Sequence, residues 1–75
     1  SSIRDKHMRD AGLDVKGEPI RADVQLMRRF LSEADWNKAI EAIRKGSTPA
    51  AAVALLGYSL SGMAAEEKRA MEGAR

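Results

Sequence analysis

Gly46-Ser47-Thr48-Pro49 closes one helix and opens the next without a spare residue, and this junction constrains the fold more than any other feature of the chain. Glycine supplies the left-handed residue on which helices end, threonine offers a hydroxyl to an orphan amide, and proline fits the first helical position. The same grammar recurs on either side. Ser32-Glu33-Ala34-Asp35 begins a helix with a cap, an acid reaching back to it and two negative charges at the positive helix end. Gly57 stops the run that Pro49 starts, and Ser59 or Ser61 caps a last helix.

Apolar residues between these signals follow the helical period. Ile20, Val24, Met27 and Leu31 are spaced by four, three and four, with Phe30 widening the stripe and Pro19 in the first turn. Trp36, Ala39, Ile40 and Ile43 form the buried face of the next helix, whose negative end is complemented by Arg44 and Lys45. The third helix offers almost no polar face from Ala50 to Leu56, which predicts the most enclosed element. In the last, Leu60, Met63 and Met71 point inward while Glu66, Glu67, Lys68 and Arg69 face water. Helices are expected near 20–31, 33–45, 49–56 and 60–72, with Val53, Leu56, Trp36, Ile40, Phe30 and Met27 among the least exposed side chains.

Residues 1–18 are patterned differently. Ser2 and Asp5 have the spacing of a capping box and Gly12 would end a short helix at Ala11, but its apolar stripe is thin. Gly12 to Pro19 reads as a linker from which Leu13 and Val15 could dock, and His7-Met8 reads equally as a cloning junction. The expectation is an all-α chain: a flexible arm or tag plus linker over 1–18, and a small bundle of three to four short helices over 19–75.

With 75 residues and no cysteine, the chain has room for one modest core and no disulfide or thiolate metal site to reinforce it, which fits a reducing cytoplasm. The longest apolar run, Pro49 to Leu56, is far short of the roughly 20 residues a membrane span needs. Thirteen basic and eleven acidic side chains are interspersed from end to end, a pattern of solubility that gives the pI of 9.3 little meaning. A single histidine, His7, leaves no material for a catalytic triad or a Cys/His metal site, and there is no phosphate loop or His-Glu-x-x-His helix. Glu66-Glu67 and Glu33/Asp35 are placed as solvating and capping carboxylates. The expected function is therefore non-catalytic binding without cofactor, metal, membrane or small-molecule substrate.

Leu56-Gly57-Tyr58-Ser59, between a short apolar helix and a capped one, resembles the turn of bacterial and phage helix-turn-helix DNA-binding proteins, among them arabinose-operon-type regulators and phage small terminase subunits. The resemblance spans Pro49 to Met63. It implies that the helix after Ser59 lies in the major groove, with Ser59, Ser61 and Lys68 toward base edges or phosphate, Arg69 toward phosphate, and Arg44 and Lys45, or Arg28 and Arg29, clamping the backbone. Two features depart from that pattern: Val53 stands four residues before the glycine, where such motifs carry alanine, and Glu66 and Glu67 would repel phosphate. The alternative is a protein-interaction or oligomerisation domain, an adaptor, inhibitor or homodimer, using Met8, Leu13, Val15, Leu26, Tyr58 and Met71. Gathering of the basic residues on one face would favour DNA, and their dispersal a protein partner.

Overall fold

The computed structural model describes residues 1–73, in five helices: α1 (Ser2–Asp10), α2 (Ala22–Phe30), α3 (Glu33–Arg44), α4 (Pro49–Ala54) and α5 (Leu60–Gly73). They form a small all-α bundle. Among the described residues there is no β-strand, only an isolated antiparallel bridge between Leu13 and Pro19. α3 is the hub, packing against α1 on one side and α4 on another, while α5 packs on α2.

The punctuation works as its chemistry requires. Ser32 Oγ accepts the Asp35 amide at 3.1 Å, and Thr48 Oγ1 accepts that of Ala51 at 3.1 Å. At Gly46, φ is 109°, and the amides of Gly46 and Ser47 return to the carbonyls of Ile43 and Ala42, the double closure of a Schellman motif. Gly57 repeats it: its own amide bonds to Ala54 O and that of Tyr58 to Val53 O. α2 starts without a side-chain cap; instead Arg21 forks onto Asp23 at 2.7 and 3.0 Å. That guanidinium holds the Asp23 carboxyl below the ordinary aspartate range.

The flexible-arm expectation for residues 1–18 is corrected. α1 lies against α3, and Met8, Ala11 and Leu13 belong to the same buried cluster as Val24, Met27, Ile43 and Val53. Leu13 is wholly inaccessible and Met8 is 1% exposed. Gly12 ends α1 by the same double closure, with Gly12 N bonding to Arg9 O and Leu13 N to Met8 O, which pairs the two residues that apolar contact joins in this motif. Gly12 O then accepts both Ile20 N and Arg21 N, at 2.8 and 3.0 Å, so the supposed linker is a closed loop. His7 Nδ1 adds a bond of 3.0 Å to Arg44 O at the end of α3.

Asp14 organises that loop. Its Oδ1 accepts the amides of Lys16 and Glu18, each at 2.9 Å, while its own amide bonds to Glu18 O. Asp14→Ala should cost about 1–2 kcal/mol, and Asp14→Asn, which keeps an acceptor in place, appreciably less. Urea denaturation of the two variants checks this, and equal stabilities would remove the aspartate from the loop's support.

Several core assignments also shift. Val24, Met27, Leu31, Trp36, Ala39, Ile40, Ile43, Val53 and Met63 are buried as expected. Leu56 is half-buried, and Ile20 and Phe30 are exposed, because α2 begins only at Ala22 and turns Val24, Leu26 and Met27, with Leu31 after it, toward the core. α4 has the largest buried share of the five helices, with Pro49, Ala52 and Val53 of its six residues buried, but its apolar run is not enclosed on every side. It stops at Ala54 and packs chiefly on α3, so Ala52 and Val53 are buried while Ala50, Ala51 and Ala54 face outward and Leu55 is 76% exposed. Met71, expected inward, is 69% exposed, since α5 passes beyond the body of the bundle. The chain is accordingly elongated, 45 Å by 22 Å by 19 Å.

Candidate functional site

The residues of the helix-turn-helix reading come from α4, the Gly57 turn and α5. Ser59 Oγ accepts the Gly62 amide at 2.9 Å, so its hydroxyl serves as the cap of α5, while Ser61 is exposed. The basic residues do not gather on one free face. Arg28 pairs with Glu33 at 2.9 Å and lies 5.2 Å over the ring of Trp36, and Arg44 approaches Glu41 at 3.8 Å. These two border a polar groove along α3 together with Lys16, opposed by Glu18, Glu33 and Glu41. Arg29 holds Glu67 of α5 at 2.6 Å, and Arg69 is paired with Glu66. Lys68 flanks Met71 on another side of α5, and Lys45 stands at the end of α3. Of the six cations of the DNA reading, Arg28, Arg29, Arg44 and Arg69 are thus already matched by a carboxylate, and the six do not share one depression.

The apolar residues of the alternative reading are also separated. Met8, Leu13 and Leu26 are buried and cannot form an exposed patch: the first two close α1 into the core, and Leu26 falls on the inner side of α2. Val15, Tyr58 and Met71 are exposed, but only Tyr58 stands beside another large apolar surface. Its neighbour is Phe30, a residue that sequence reasoning placed in the core. It lies one residue off the Val24-Met27-Leu31 line at the end of its helix, a position whose burial the apolar period alone leaves open.

Phe30 and Tyr58, 42% and 46% exposed, belong to the lining of a groove of about 570 Å³ between the end of α2, the Gly57 turn and the first half of α5. Met63 is buried at its lining, Gly62 and Ala65 add little relief, and Glu66 and Arg69 supply charges that already satisfy each other. The groove can thus accept an apolar or aromatic side chain without stranding a charge. His7 is engaged with Arg44 O, and among the described residues no three His, Cys, Asp or Glu side chains are grouped to hold a metal ion. No described helix is long and apolar enough to cross a membrane.

No protein-family model matches the chain, and neither a curated protein nor a solved structure is detectably similar to it.

Proposed function

We propose that this chain is a non-catalytic protein-interaction module whose docking surface is the groove between the end of α2 and α5. The observation that carries this reading is the pair of half-exposed aromatic residues, Phe30 and Tyr58, over a groove whose rim charges are mutually neutralised. Aromatic side chains at such a site bring large apolar area at low entropic cost, and truncating one at an interface commonly costs about 1–2 kcal/mol or more. DNA binding by α5 is the second reading. It is supported by the capped Gly57 turn and opposed by Glu66 and Glu67 and by the pairing of Arg29 and Arg69.

The two readings part in one experiment, retention of a binding partner from host extract with and without nuclease. Under the protein reading, retention survives nuclease, and Phe30→Ala or Tyr58→Ala weakens it about tenfold without changing the melt. Retention that nuclease abolishes, and that Lys68→Ala weakens while Tyr58→Ala does not, would replace this reading with the DNA one.

A further inference from the structure

α5 joins the bundle along a single stripe. Leu60, Met63 and Glu67 follow one another at spacings of three and four; Met63 is buried, Leu60 and Glu67 are partly buried, and the rest of the helix is exposed. The first two members of the stripe are apolar. The third is a carboxylate, and its Oε2 accepts Nε and Nη2 of Arg29, at 3.2 and 2.6 Å, from α2, the helix on which α5 packs. Where the stripe continues, at Met71, the side chain stands 69% exposed. Among the described residues, no other ion pair or side-chain hydrogen bond links the helix beyond Met63 to another element.

The segment held in this way lies close to the balance between helix and coil. From Ala64 to Glu72 it consists of Ala, Glu, Lys, Arg and Met, all strong helix formers, and Glu66 pairs with Arg69 within it. A helix of about ten residues without tertiary packing is nevertheless marginal in water. Near that balance a small interaction decides the population. A surface ion pair, which adds little to a rigid core, shifts such an equilibrium by about two- to fivefold. The same segment carries Ala65, Glu66 and Arg69, which line the groove that Phe30 and Tyr58 border, so the order of the segment and the shape of the groove are linked.

We propose that the Arg29–Glu67 ion pair is a salt-sensitive latch that orders the second half of α5 and so completes the wall of the Phe30–Tyr58 groove. With the latch closed, residues 64–73 are helical and the groove is lined on the α5 side. With it open, the segment loses helix and the wall is lost with it. The latch itself stands on the packing of α5; its consequence for docking rests on the protein-binding reading of the groove. Salt opens it from outside, because the screening length falls to about 3 Å at about 1 M.

Amide hydrogen exchange of the full chain, followed residue by residue by nuclear magnetic resonance, tests the latch. The amides of residues 68–73 bond to carbonyls within the segment, so their exchange reports its helix. Arg29→Gln should speed exchange there about two- to fivefold and leave the amides of Ile40 and Ile43 in α3 unchanged. Because that substitution lies on α2, no altered helix propensity of α5 can produce the result. Glu67→Gln should act in the same range, and Arg29→Gln/Glu67→Gln should exchange no faster than Glu67→Gln alone, since one pair can be broken only once. Raising salt from about 50 mM to about 1 M should speed the wild type by a similar factor and the double variant much less. Unchanged exchange at 68–73 in Arg29→Gln, or acceleration that extends equally to α3, overturns the latch. Arg29→Gln should also weaken the nuclease-resistant retention that Phe30→Ala weakens. Retention that responds to Phe30→Ala and not to Arg29→Gln overturns the link to the groove, whereas retention indifferent to Phe30→Ala and Tyr58→Ala removes the groove reading and leaves the latch to the exchange data.

Discussion

Deleting residues 1–13 should abolish the cooperative unfolding transition. The segment carries Met8, Ala11 and Leu13, which are all buried in the common core, and it ends with the Gly12 carbonyl that accepts the Ile20 and Arg21 amides ahead of α2. A core of this size rarely supplies more than about 3–5 kcal/mol of net stability. Truncating one fully buried Leu or Met to alanine typically costs about 2–5 kcal/mol, so removing two such side chains and the loop closure exceeds what the remainder can offset. The single substitution Leu13→Ala should already leave much of the population unfolded at 37 °C, as read by a urea titration followed by far-ultraviolet circular dichroism. Ile3→Ser, on the exposed side of the same helix, is the control and should leave the midpoint nearly unchanged. A truncated chain that melts like the full one would mean that α1 is an appendage.

Ile43→Ala is the second large expected loss, again about 2–5 kcal/mol. Ile43 is fully inaccessible and sits on α3, the helix that packs against both α1 and α4, so a cavity there removes packing from the hub of the bundle. Its carbonyl also accepts the Gly46 amide at the turn into α4, a backbone bond that the substitution leaves in place. The loss should therefore follow side-chain volume, with Ile43→Val costing about 0.5–1.5 kcal/mol. Chemical denaturation of the two variants checks the ratio. Equal costs for valine and alanine would point to a backbone effect and away from packing.

Parts of the proposed docking surface were legible before the fold was known. Tyr58 beside Gly57 and the opposite charges of Glu66 and Arg69 three residues apart are local facts, and both enter the groove or its rim. Phe30 was not legible, because its exposure depends on where α2 begins and on how α5 crosses its end. The basic residues show the same limit. Arg29 meets Glu67 across 38 positions and Arg4 meets Glu41 across 37, and no spacing in the chain announces either pair.

The sequence by itself determined where α3, α4 and α5 begin and where α1 and α3 close, and it marked Gly57 as the turn after α4. Caps at Ser32, Thr48 and Ser59 and glycines at 12, 46 and 57 act through hydrogen bonds spanning three to five residues, which the rest of the molecule scarcely alters. It also determined the inner faces of α2 and α3 near their centres, where the helical period leaves a single apolar side. Tertiary structure alone decided that Leu13 is core and Leu55 surface, although both are leucines just past the end of a short helix. Leu13 follows a glycine whose carbonyl is bound by the start of α2, which folds its chain back over the core; Leu55 ends a helix that packs chiefly on α3 and has nothing above it. Burial is a property of what arrives from elsewhere in the chain, and the local period records only which side of a helix is able to receive it.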